Sequence, residues 1–154
     1  MTRIKVIKLK LDGVRTDNQV LSYMSQSLAT SNIVKDTFEE AICIREEEFS
    51  TGLNIGNYGV AIPHTDIEHV YESTIAVVTL ENPVNFKQMG DNSEVQVDLV
   101  CMLALNESHA HLEMLQKLME LFQNEEVIRS IIELSDNEEN RQKVVDIFKE
   151  NHII

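Results

Sequence analysis

Two runs, "STIAVVTLE" at 73–81 and "VQVDLVCMLAL" at 95–105, constrain this chain most. Each is near-continuously apolar over a strand's length, and neither alternates polar and apolar residues as a sheet with one wet face would. Strands of that kind are covered on both sides, which in a mixed or parallel sheet means helices above and below. The surrounding segments supply those helices. In 17–30, Asp17 is a candidate cap, and Val20, Leu21, Met24 and Leu28 recur at the spacing of one buried stripe. The stretch "DTFE" has Asp36 and Glu39 at capping-box spacing and opens a second helix, whose inward line runs Phe38, Ala41, Ile42, Arg45, Phe49. From Ser108 to Gln123 a third carries His111, Leu115, Leu118 and Phe122 on one face, with Leu112 and Met119 widening it, and Ser108 as its N-cap. The stretches "NEEVIRSIIEL" and "NEENRQKVVDIFKEN" continue the helical pattern. Residues 4–11 read as a strand or extended arm whose alternation breaks at Ile7. The order predicts an α/β fold, a three-layer domain with a central mixed β-sheet flanked by helices on both faces, spanning 1–154 as one unit.

Between the second helix and the first long run lies "FSTGLNIGNYG", whose three glycines mark a loop, then the short strand "VAI", which Pro63 must end because it offers no N–H to a ladder. "NPVNFKQMGDNS", between the two long runs, reads as a loop. His64 therefore stands at a strand exit. A ring there can be a packed residue, a metal ligand, an acid or base, or a nucleophile.

Composition removes several of these options. With 13 Lys and Arg against 26 Asp and Glu, the net charge of -13 repels a phosphate backbone, so nucleic acid is not an expected partner. The N-terminal stretch interleaves Lys with apolar residues instead of building a signal peptide's apolar centre, and no stretch approaches membrane-spanning length, so direct membrane insertion is not expected. The two cysteines, Cys43 and Cys101, are isolated among apolar neighbours, which suits buried thiols and a cytoplasmic setting. Zinc would need paired Cys and His spacings or an HExxH helix, and phosphate-loop, dinucleotide and GxSxG motifs are absent, so no cofactor is predicted.

What remains is His64 at a strand exit, Arg45 on an apolar helical seam, and His111 in the first turn of an apolar helix. Together they make a small anion site: a neutral imidazole can attack phosphorus, an arginine fork holds phosphate oxygens, and a helix N-terminus adds N–H donors. Taken singly, plainer readings compete. His64 would be a hydrogen-bonded loop residue, Arg45 a member of the solvated run with Glu46, Glu47 and Glu48, and His111 a capping ring.

The motif "GVAIPHTD", preceded by "REEEFSTGLNIGNYG" and followed by "NESHAHLEMLQKLMELF", resembles the enzyme IIA domain of the fructose/mannitol type from the sugar phosphotransferase system over nearly the whole chain. The resemblance implies that His64 is phosphorylated on Nε2 by phospho-HPr and passes the group to a cysteine of a sugar-specific IIB component, with a membrane IIC component served indirectly. It also implies that Arg45 and His111, not His109, complete the site. "AICIREEEFSTGL", and the absence of a fused IIB or IIC, look most like the galactitol branch. The alternative is a regulatory nitrogen-type IIA whose phosphorylation controls protein binding. The loops near 52–59 and 65–70 are expected to form a docking patch spared by the negative charge.

Overall fold

The computed structural model describes residues 2–154. Its elements, in chain order, are β1 (Arg3–Leu11), α1 (Asp17–Thr30), α2 (Phe38–Glu48), β2 (Gly52–Asn54), β3 (Gly59–Ala61), β4 (Thr74–Lys87), β5 (Glu94–Ala104), α3 (Ser108–Phe122), α4 (Glu125–Ile132) and α5 (Glu138–Glu150). One five-stranded sheet runs β1-β4-β5-β3-β2. β1 is parallel to β4 and β3 to β5, while β4 pairs antiparallel with β5 and β2 with β3. The expected mixed α/β sheet is present.

Alternation along the central strands explains the three layers. On β4, Ala76 and Val78 join the core that holds Leu21, Met24 and Leu28 of α1 with Phe38 and Ile42 of α2. Ile75 and Val77 face the other way, into a core with Leu118 and Phe122 of α3, Ile128 of α4, and Val144 and Phe148 of α5. Every one of these side chains is fully buried. Each contributes about 1.5–3 kcal/mol relative to exposure, Ala76 excepted, so the two apolar faces of the central strands dictate the helical cover.

Several local expectations are corrected. The first half of the segment 82–93 is strand: β4 continues to Lys87, with Val84 and Phe86 buried opposite Val97 and Val95. Pro83 misled because it falls in the register shift between Thr79 and Val84, where a missing N–H costs no ladder bond. The glycine-rich loop is a β2–β3 hairpin, and Gly59 is needed there because a Cβ would sit 2.1 Å from the Gln96 carbonyl oxygen. α1 is capped by Thr16, not Asp17. The Thr16 hydroxyl accepts from the Gln19 N–H at 3.2 Å while the Gln19 side chain takes the Thr16 N–H, a capping box with Asp17 in the first turn. The Asp36/Glu39 box does not form; Thr37 precedes α2, and its hydroxyl bonds His69 Nδ1 at 2.7 Å instead. At β1 the irregular alternation matches two register shifts, and Lys10 adopts φ 55° with its N–H donated to the Thr79 hydroxyl.

Among the described residues, no helix is long and apolar enough to cross a membrane.

Candidate functional site

β3 ends at Ala61, and Ile62 and Pro63 carry the chain out beside β5. The Leu103 N–H donates to the Pro63 carbonyl at 2.9 Å, which fixes the exit. His64 bridges to Leu103 there, and its Nδ1 lies 2.8 Å from the Ile62 carbonyl oxygen. That oxygen can only accept, so Nδ1 carries the proton and Nε2 of the neutral ring keeps its lone pair. Burial lowers the His64 pKa from its ordinary 6.5; the Ile62 bond opposes this and the Arg45 charge adds to it. At neutral pH the ring is uncharged, with a lone pair left on Nε2.

Arg45 sits in the last turn of α2 with its guanidinium stacked over the Phe49 ring, 4.6 Å from the centroid. Among the described residues it makes no ion pair, although three glutamates follow it. The solvated-run reading fails at its first member: Glu46 is buried and turned inward, while Glu47 and Glu48 are exposed. The seam reading needs correction too. Phe38 and Ile42 are core, but Phe49 is the helix's C-cap and 59% exposed. It forms a floor for Arg45 rather than filling the core.

α3 begins at Ser108 with Glu107 as N-cap, so Ser108 is the first helical residue and His111 the fourth, not the third. The His111 ring lies 5.5 Å from the His64 ring, tilted 40° to it. Its Nε2 is buried and has no hydrogen-bond partner. Burial is the main cause of a lowered His111 pKa, helped by His64 and Arg45 and opposed by Asp66. Leu112, expected to widen the inward face, is instead exposed.

Arg45, His64 and His111 thus converge on one cleft of about 450 Å³, whose remaining walls are Thr65, Asp66, Ile67, Glu68 and Ser108. The expectation that negative charge spares this patch is not met, since Asp66 and Glu68 line it. These two were missed because an acidic residue after a histidine carries no periodic signal. The other histidines stay out: His109 is exposed beside Glu107, and the His69 ring is held by Thr37. Cys101 is fully buried, with its thiol pushed up to about 12 by burial, and Cys43 on α2 is half-buried with its thiol also raised. Neither thiol faces the cleft.

A cleft with an unpaired arginine, a neutral nucleophilic nitrogen and a helix N-terminus suits transient phosphoryl binding. Over residues 1–151 the chain matches the family described as phosphoenolpyruvate-dependent sugar phosphotransferase system, EIIA 2. It belongs to that family. The EIIA chain is 31% identical over 106 residues to the galactitol-specific EIIA component of Escherichia coli K12, covering 69% of this chain and 71% of that protein. It is 30% identical over 112 residues to multiphosphoryl transfer protein 1 of the same strain, covering 70% of this chain but 12% of that one. Among solved structures, a putative PTS IIA from Streptococcus mutans is 25% identical with TM-score 0.73, covering 96% of this chain and 92% of that one. The Escherichia coli complex of mannitol IIA with phosphorylated IIB shares the fold, with TM-score 0.74 at 17% identity over 95% and 99% of the two chains. EIIA proteins of this family are carriers in sugar phosphotransfer.

Proposed function

We propose that this EIIA protein accepts a phosphoryl group from phospho-HPr on His64 Nε2 and donates it to a cysteine thiolate of a IIB component. The IIB in turn serves a membrane IIC component, and the relay works in the cytoplasm. The observation that carries this reading is the His64 ring itself: Nδ1–H is tied to the Ile62 carbonyl, which leaves Nε2 free in a cleft that Arg45 and His111, its own Nε2 unpartnered, also line.

The chemistry balances without a separate base. The Nε2 lone pair forms the new N–P bond as the donor's N–P bond breaks, and His64 keeps its Nδ1 proton. The phosphorylated ring is then an imidazolium whose N–H donates to Ile62, which makes it a ready leaving group. When a thiolate attacks phosphorus, the electron pair returns to Nε2 and the neutral ring is restored. Arg45 binds phosphoryl oxygens with its planar fork, and His111 donates from Nε2. Asp66 and Glu68 oppose a resident dianion, which favours onward transfer over storage.

The 31% identity to a galactitol-specific EIIA component supports galactitol as the sugar. A regulatory reading draws on 27% identity, at TM-score 0.66, to the nitrogen regulatory protein IIA-Ntr of Neisseria meningitidis. Incubation with enzyme I, HPr and phosphoenolpyruvate, followed by a galactitol-type IIB, tests the proposal. The expected result is one phosphoryl group gained, then lost to IIB. No gain in intact mass would refute the carrier role, and gain without transfer to any IIB would favour regulation.

A further inference from the structure

Glu46 follows Arg45 directly and is the one member of its acidic run that is buried, at 6% exposure. Its two carboxyl oxygens are both used on one residue: Oε2 accepts the Thr51 N–H at 2.7 Å and Oε1 the Thr51 hydroxyl at 2.7 Å. The Thr51 carbonyl accepts the Ile62 N–H at 3.3 Å, and the Ile62 carbonyl accepts His64 Nδ1–H at 2.8 Å. One side chain therefore starts a continuous line of bonds from the C-terminal turn of α2, where Arg45 is mounted, across the β2–β3 hairpin to the nitrogen that sets the His64 tautomer.

We infer that Glu46 is a positioning residue for the phosphorylation site, holding the Thr51 and Ile62 peptides so that His64 keeps its proton on Nδ1 and Arg45 stays beside it. The inference rests on the reading of His64 as the nucleophile. Its physical basis is geometric. Thr51 immediately precedes β2, and its neighbour Gly52 pairs with Ala61, so a Thr51 peptide free to rotate would release the first rung beyond that pair. The bonds couple through backbone position: the Thr51 N–H and carbonyl flank one Cα, as do those of Ile62, so freeing the first lets the carbonyls beyond it turn away from their donors. Burial holds the Glu46 carboxyl up to about 7 although both Thr51 bonds favour its charged form.

The test reads the imidazole ¹⁵N shifts of His64 in the unphosphorylated protein, without HPr. Glu46→Ala is expected to raise the Nε2–H tautomer about fivefold relative to wild type, the factor that about 1 kcal/mol of hydrogen bonding represents, and to slow phosphorylation in parallel. Glu46→Gln keeps one acceptor for the N–H and an amide for the hydroxyl, and should restore both readouts. Thr51→Val removes only the hydroxyl bond and should fall between. If Glu46→Ala does not fold, Thr51→Val decides. A lowered melting temperature with a wild-type tautomer ratio and transfer rate in the folded variants would overturn the inference. Because the ratio is read before any phosphate is added, it separates this inference from the carrier reading, which fails only if wild-type His64 takes no phosphoryl group.

Discussion

His111 should change its protonation state when His64 is phosphorylated. In the free protein burial holds its pKa below 6.5, with His64 and Arg45 adding to the depression, so the ring is neutral at pH 7. The His64 and His111 rings lie 5.5 Å apart and line one cleft, which a phosphoryl group on His64 Nε2 would share. At that distance and an effective dielectric of about 20, each unit of negative charge stabilises the His111 cation by about 3 kcal/mol, or about 2 pH units. Arg45 shares the dianion and offsets part of the second charge. A net rise of at least about 2 units is expected, which shifts His111 toward the cation and makes its free Nε2 a stronger donor. Imidazole ¹⁵N titration of the free protein through the acid range, and of the phosphorylated protein above pH 6, measures this directly. A His111 pKa unchanged or lowered by phosphorylation would refute the argument, because the ring could not then be a phosphate ligand.

The remaining predictions use the same geometry. His111→Ala should still accept phosphate but pass it to IIB about 10- to 100-fold more slowly, the worth of a charge-assisted hydrogen bond, whereas His109→Ala, exposed on the helix, should match wild type in rapid-quench transfer. Arg45→Lys keeps the charge but loses the fork and its stack on Phe49, and should slow transfer about tenfold with unchanged circular dichroism; a wild-type rate would return Arg45 to a passive surface role. The raised Glu46 pKa means the folded state binds a proton that the unfolded state releases between about pH 4.5 and 7, so this group costs stability as pH rises through that window. Urea titrations should therefore show Glu46→Gln gaining on wild type by up to about 3 kcal/mol from pH 4.5 to 7, and a pH-independent difference would contradict the shift. Gly59→Ala, facing the Gln96 carbonyl oxygen at 2.1 Å, should lose at least about 2 kcal/mol of stability by the same measurement.

The sheet and its helical cover were legible because β4 and β5 are apolar on both faces and the helices carry single stripes. His64 stood out as a candidate because Pro63 marks the end of a short apolar run just before it, although β3 itself ends at Ala61. The seam read for Arg45 held only as far as Phe38 and Ile42; Phe49 lies past the helix end, where a 3.6-residue period no longer applies, and Arg45 rests on it beside the cleft. Glu46 was not legible at all. A run of three glutamates reads as solvated, and only the turn that brings Thr51 back onto α2 distinguishes its first member. The strand content of 82–87 was hidden by Pro83, although Val84 and Phe86 alternate at period two. Asp66 and Glu68 enter the cleft through tertiary placement of the segment after His64, which local pattern does not encode.

The central claim is that one nitrogen, His64 Nε2, carries the phosphoryl group. Phosphopeptide mapping at neutral to basic pH, where phosphohistidine survives, combined with ¹⁵N spectra of the phosphorylated protein, tests it most directly. Label is expected on His64 alone, attached through Nε2, with Nδ1 still protonated toward Ile62. Label on His69, His109 or His111, or attachment through Nδ1, would contradict it.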